Sequence, residues 1–291
     1  MKLLQTVTKD LPSPVDADHR TGAGPAGYNG AFCREPSPLP FESVSTVLVA
    51  RLLANAGFDV SPTEVDFERR GERWRATVPG EHVVWIAASV EGRRLLSKER
   101  QVLKLIRQSC EFRVPEILYE DPSADFDVRT MVPGIVHPEI LIERQKDTTF
   151  LRNTGTEIGS MLAQQHTRIE FSAAGVWLPP APGWPRSSQW IVDRLPEVTG
   201  DRELIGEAVE LLRRYEDVRV EDADRVLIHG DVGAHNLAID AASGHVHGIF
   251  DYGDAAWADR HHDFRYLTNE TLLRAALAAY EPVTGRRIDR Q

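Results

Sequence analysis

Three polar side chains late in the chain, Asp231, Asn236 and Asp251, stand where short apolar runs give way to loops. They fall in two segments, LIHGDVGAHNLAID at residues 227–240 and GIFDYGDAAWADRHHDF at residues 248–264. Phosphoryl transfer needs such residue types: a carboxylate that orients an acceptor hydroxyl and takes its proton, and an amide plus a second carboxylate that hold Mg²⁺ against nucleotide phosphates. Asp231 follows an apolar strand at the mouth of a loop. Asn236 lies five positions on, just before NLAID, so the loop can fold its amide back towards Asp231. Asp251 ends the GIF run ahead of a Gly turn, at the tip of an adjacent strand. A hairpin with carboxylate and amide on one loop and a carboxylate on the next makes a hard-oxygen site of the kind Mg²⁺ prefers.

The elements that must position these residues are legible from periodicity. VDFERRG, ERWRATV and HVVWIAAS have strand character and are separated by the turn signals Arg70-Gly71 and Pro79-Gly80. A helix over RRLLSKERQVLKLIRQ follows, with Leu95, Glu99, Val102 and Ile106 at helical spacing, and then the strands EILYED and FDVRTMV. Ahead of this meander, SVSTVLVARLLANAGF reads as an amphipathic helix with Ser43 or Ser45 as its cap. Beyond Met131 the chain turns mainly helical. A capping-box pair, Thr154 and Glu157, precedes IGSMLAQQHTRI, and RELIGEAVELLRRYEDV and ETLLRAALAAYE are further helices. The fold class is therefore α+β and two-lobed. Residues 1–42 form a Pro- and Gly-rich arm, residues 43–131 an N-lobe with a five-stranded sheet, and residues 132–291 a helical C-lobe that carries the chemistry.

The pattern His-Gly-Asp-x-x-x-x-Asn followed by an apolar-Asp strand end resembles the signature of aminoglycoside phosphotransferases, choline kinases and related small-molecule kinases. The resemblance implies a bilobal protein-kinase-like fold and transfer of the γ-phosphate of ATP or GTP, with Mg²⁺, to a hydroxyl of a small molecule. It makes Asp231 the catalytic base, Asn236 and Asp251 the Mg²⁺ ligands and His229 the brace of the catalytic loop. Asp259 and Asp263 fall in the structural Asp pattern that follows. TMVPG at residues 130–134 is similar to the hinge, which places Met131 beside the nucleotide, and SKERQVLKLI is similar to the helix whose glutamate, here Glu99, faces the nucleotide site.

One departure stands out. In such kinases that glutamate pairs with a lysine on the third strand, yet Trp85 occupies the matching position and no lysine lies between Lys9 and Lys98. Arg69, Arg73 or Arg75 could supply the charge, since guanidinium binds phosphate well. Arg75 is set with Glu99 and Met131 on the nucleotide side. The alternative is an impaired, kinase-like binding protein. The His261-His262-Asp263 run invites a metal-hydrolase reading, but that chemistry needs an upstream His and a later Asp on helices, and Asp289 is the only Asp that follows. In the resemblance, the ending at GRRIDRQ implies an acceptor pocket built differently from that of relatives.

Composition narrows the partners. Net charge is −10, against the concentrated basic surface that a nucleic-acid partner requires. The same charge is compatible with a cationic acceptor, as is the acidic stretch between Ile191 and Asp224. His235 reads as a loop residue, and Trp177, Trp184 and Trp190 as packing for a Pro-rich loop. No apolar run reaches membrane-spanning length, and the opening MKLLQTVTKD lacks a secretory apolar core, so a cytoplasmic protein without membrane partners is expected. Cys33 and Cys110 make neither a disulfide framework nor a zinc motif.

Overall fold

The computed structural model describes residues 44–181 and 187–288. The N-terminal arm, Cys33, Ser43, Trp184 and Asp289 lie outside them. Helix α1 (Thr46–Asn55) starts at Ser45, whose hydroxyl accepts from the Leu48 N–H at 3.2 Å. Strands β1 (Asp66–Arg70), β2 (Arg73–Val78) and β3 (His82–Ala87) follow as a meander. Helix α2 (Val90–Ser109) then leads to β4 (Ile117–Glu120) and β5 (Phe126–Thr130). The five strands form one antiparallel sheet in the order β1-β2-β3-β5-β4.

Period-2 alternation gives this sheet two different faces. Ala76, Val78, Val84, Ile86, Phe126 and Val128 pack against Val49, Leu52 and Leu53 of α1. The opposite face carries Arg73 and Arg75 of β2, Trp85 of β3, and Asp127 and Arg129 of β5. Arg75 stands opposite Trp85, and Trp85 opposite Asp127. That polar face looks onto α2 and the loop after Asp251.

The second lobe comprises α3 (Ile140–Glu143), α4 (Thr148–Arg168), α5 (Phe171–Ala174), α6 (Ser188–Val198), α7 (Arg202–Glu216) and α8 (Glu270–Thr284). Four short strands lie among them: β6 (Arg225–Ile228), β7 (Leu237–Ile239), β8 (Val246–Ile249) and β9 (Ala256–Asp259). Its core joins α4, α8 and these strands through Phe150, Ile158, Leu162, Leu237, Ile249 and Leu277. Helices α4 and α8 approach unusually closely because Gly155 and Gly159 face the partner backbone. A Cβ on Gly159 would lie 2.1 Å from the Ala276 carbonyl oxygen. Among the described residues no helix is long and apolar enough to cross a membrane.

Two expectations change in detail. Helix α4 begins seven residues before the capping-box pair, because Asp147 accepts from the Phe150 N–H and starts it there. Thr154 is interior and donates to the carbonyls of Phe150 and Gly244, while Glu157 accepts from His245. The catalytic segments also pair differently from a single hairpin: β6 pairs with β9 and β7 with β8. Two two-stranded ribbons thus carry the two loops.

Candidate active site

The loop after β6 is fixed from below by Asp263, whose side chain is fully buried. Its Oδ2 accepts from the His229 backbone N–H at 2.9 Å and its Oδ1 from Gly230 N–H at 2.7 Å. Gly230 takes φ +82°, a conformation that a side chain would strain. His166 Nε2 donates to Asp263 at 3.0 Å, and its Nδ1 accepts from the Tyr280 hydroxyl at 2.8 Å. Burial pushes the His166 pKa down, which keeps the ring neutral and in this tautomer. His229 links the loop to the next strand. Its Nδ1 accepts from Asp231 N–H at 3.1 Å, and its Nε2 donates to the Phe250 carbonyl at 2.9 Å, one residue before Asp251.

Asn236 folds back as its spacing implied. Its side-chain amide nitrogen donates to the Asp231 carbonyl at 2.9 Å and to the Asp231 carboxylate at 3.0 Å, and its backbone carbonyl accepts from Phe250 N–H at 3.1 Å. His235 shares the same carboxylate oxygen at 3.0 Å. Burial alone would raise the Asp231 pKa, but the His235 hydrogen bond and charge, with Tyr266, bring it down to about 2. Asp231 is therefore ionised throughout the neutral range. The same contact raises the His235 pKa.

Asp251 sits in the left-handed region at φ 62°, rare for a residue with a side chain. The following N–H, of Tyr252, donates to Glu99 at 3.1 Å. Glu99 is only 1 % exposed, and its other oxygen takes both Arg73 at 2.7 Å and Arg129 at 2.9 Å. Burial opposes its ionisation, but the two guanidinium groups hold its carboxyl well below the usual range. Arg73 also reaches Asp251 at 3.1 Å and lies over the Trp85 ring at 4.5 Å.

The partner of Glu99 is therefore Arg73, with Arg129, and not Arg75. Arg75 shares the face of Arg73 but turns to Glu68 at 3.4 Å, and Arg69 bonds the Gly71 carbonyl. Met131 follows β5, with its N–H taken by the Glu81 carbonyl at 2.7 Å and its side chain packed near Val83 and Trp85. Arg129 and His166 were not singled out from the sequence, and His235 was read only as a loop residue. The signal for His235 was its place one residue before Asn236.

The His261-His262-Asp263 run is not a metal centre. Asp263 is occupied by the catalytic loop, His261 bonds Asp259 at 2.6 Å, and His262 meets Tyr215 of α7 at 3.3 Å. No group of three or more His, Cys, Asp or Glu side chains is arranged to hold a metal among the described residues. Trp177 donates to the Ala173 carbonyl at 2.8 Å, a packing contact.

The sequence matches the phosphotransferase enzyme family over residues 60–288, most of the chain and both lobes. The chain belongs to that family. Among solved structures, the bilobal phosphotransferase fold is shared with the GDP and kanamycin complex of APH(2″)-IIIa. Identity is 19%, TM-score 0.62, and 83% of each chain is covered. It is shared too with the streptomycin–ATP ternary complex of APH(2″)-IIa, at 13% identity and TM-score 0.59, covering 82% of this chain and 83% of that one. A macrolide 2′-phosphotransferase of Brachybacterium faecium matches at 19% identity and TM-score 0.58, with 82% and 83% covered. Curated proteins give no match. At these identities the likeness establishes the phosphotransferase fold, an α+β bilobal one.

Proposed function

We propose that this protein transfers the γ-phosphate of ATP or GTP to a hydroxyl of a small molecule, with Mg²⁺. The observation that carries the reading is the Asp231–Asn236 pair, hydrogen-bonded at 3.0 Å and tied through His229 and Phe250 to the strand bearing Asp251. In-line transfer needs a base and a metal-holding oxygen set locked together in this way. The names of the neighbours, with bound GDP or ATP beside kanamycin or streptomycin, support the donor and acceptor classes.

The donor set fits Mg²⁺. Asn236 uses its amide nitrogen on Asp231, which leaves its carbonyl oxygen as a hard acceptor, and the Asp251 carboxylate is 36% exposed. Mg²⁺ commonly takes one or two carboxylates and completes its shell with phosphate and water oxygens. Bound there, the ion would neutralise phosphate charge. The chain's own residues do the rest. Asp231, ionised at neutral pH, accepts the acceptor's proton as the acceptor oxygen bonds to the γ-phosphorus and the bond to the nucleoside diphosphate breaks. Asn236 fixes the rotamer of Asp231, and His229 and Asp263 fix its backbone. An amine-bearing acceptor suits the net charge of −10.

Trp85, at the third-strand lysine position, favours a second reading, a kinase-like binding protein without turnover. Thermal-shift titration with Mg²⁺-ATP and Mg²⁺-GTP, followed by a nucleoside-diphosphate assay with aminoglycosides and macrolides, separates the two. A shift with at least one nucleotide and acceptor-dependent turnover are expected. Asp231→Ala should lower turnover at least about 100- to 10,000-fold and leave the shift intact. No shift with either nucleotide overturns the phosphotransferase reading, and a shift without turnover favours the binding protein.

A further inference from the structure

Under the N-lobe sheet runs a chain of alternating charges: Asp251, Arg73, Glu99, Arg129, Asp127 and Arg100. The successive contacts measure 3.1 Å, 2.7 Å, 2.9 Å and 2.6 Å, and Arg100 Nε closes the row on Asp127. Three cations balance three anions. All but Asp251 are buried. The two ends differ. At the inner end Arg100 also donates to the carbonyls of Asp121 and Phe126, and Arg129 is 1% exposed and gripped on both sides. At the outer end Arg73 faces Asp251, the carboxylate assigned above to the metal.

Glu99 thus has two guanidinium partners. Arg129 is the fully buried partner and ties Glu99, and with it α2, to β5 of the sheet. Arg73 is the partner that borders the catalytic cleft. It comes from β2, one strand away from Trp85, and its guanidinium carbon sits over the Trp85 ring, 4.5 Å from the centroid. The indole fills the space beneath the sheet that a third-strand side chain would reach through, and it serves as a platform for a longer cation from the neighbouring strand.

Resting on the phosphotransferase reading, we infer that Arg73 is the residue that binds the nucleotide phosphates, with Trp85 as its platform, while Arg129 anchors Glu99. Two arginines divide what one lysine does in related kinases. Guanidinium stays charged when buried and presents a fork, so Arg73 can keep one nitrogen on Glu99 and turn the other from Asp251 to a phosphate oxygen. That exchange becomes favourable once the Asp251 carboxylate is drawn to a divalent ion and the outer ion pair loosens.

The test is calorimetric titration of wild type, Arg73→Met, Arg73→Lys and Arg75→Met with Mg²⁺-nucleoside triphosphate and with the bare nucleoside. Arg73→Met should lose about 10- to 100-fold in triphosphate affinity and keep nucleoside affinity within about twofold. Arg75→Met should lose less, and Arg73→Lys should fall between wild type and Arg73→Met. A purely structural role would lower the melting temperature but leave the ratio of the two affinities unmoved. An unchanged ratio in Arg73→Met, or a larger loss in Arg75→Met, overturns the inference.

Should Arg73→Met fail to fold, tryptophan fluorescence decides. Triphosphate should perturb wild-type emission through Trp85 and leave Trp85→Phe unperturbed, whereas an equal change in both overturns the inference. Wild type that binds no nucleotide removes the phosphotransferase reading itself, before any variant is made.

Discussion

His235 and Asp231 share one hydrogen bond but leave opposite marks on the pH dependence. Asp231, whose ordinary value is 3.8, is drawn down to about 2, so its share of stability is present above 3.8 and is lost as pH falls towards 2. His235 is raised above 6.5, so its share is complete below 6.5 and is lost as pH rises through the higher folded value. The melting-temperature gap between wild type and His235→Ala should therefore be widest between about pH 4 and 6.5 and narrow on both sides. A gap that is flat from acid to alkaline pH contradicts the pairing. At this scale the sequence was informative about Asp231, Asn236 and Asp251, because their spacing alone sets the loop lengths that bring them together. It could not rank Arg69, Arg73 and Arg75. Arg73 and Arg75 alternate onto the same face, and only the position of Glu99 across the cleft selects one. His235 was read as a loop residue because a contact across a tight turn has no periodic signature.

Elements were legible where periodicity was strong. The five N-lobe strands, α2, α7 and α8 all stand where alternation or helical spacing placed them. Helix α6 was not anticipated. It contains Pro196, has no fully buried residue, and follows a Pro-rich loop whose composition outweighs its period. The start of α4 was misjudged because two acceptable caps compete, and a local pattern does not reveal that Asp147 closes the earlier turn. Strand pairing was hidden for a related reason. Apolar runs announce β6 to β9, but which run meets which depends on contacts far apart in sequence. Nothing in the composition marked Gly155 and Gly159 as more than ordinary helix interruptions. In the fold they let α4 lie against the α8 backbone, where a methyl on Gly159 would meet a carbonyl oxygen at 2.1 Å. Gly159→Ala raises helix propensity by about 1 kcal/mol yet forces the helices apart, at an overpacking cost of about 1–3 kcal/mol. The net expectation is a lower melting temperature by a few degrees, measurable by circular dichroism, with far-UV helicity retained. A more stable variant would mean that the α4–α8 approach is looser than described.

For the whole molecule, Glu99 is a polar junction between the lobes, beside the apolar one in which Val102, Leu103 and Ile106 of α2 enter the C-lobe core. One oxygen holds the Tyr252 N–H next to Asp251 in the C-lobe, and the other holds two arginines of the N-lobe sheet. This α2 residue therefore links the segment carrying Asp251 to the sheet above it, Arg73 adds a direct contact to Asp251 at 3.1 Å, and Lys98 reinforces the link through the Ala255 carbonyl at 3.2 Å. Glu99→Gln keeps the size but strips the negative charge and turns one of the two acceptor oxygens into a donor. Arg73, Arg129 and Arg100 are then left against Asp127 and Asp251 alone. Removing one partner from a buried ionic cluster costs about 3–5 kcal/mol, because the opposite charges stay buried without compensation. Denaturant unfolding at neutral pH should show a loss of that order. The sign with pH follows from the depressed Glu99 pKa: its stabilisation is present above the ordinary value of 4.5 and is lost as pH falls through the lower folded value. The difference between wild type and Glu99→Gln should accordingly shrink in acid, as the wild-type carboxyl takes up its proton. A variant within about 0.5 kcal/mol of wild type at neutral pH, where surface substitutions ordinarily fall, would show that the Glu99 charge contributes little to the junction.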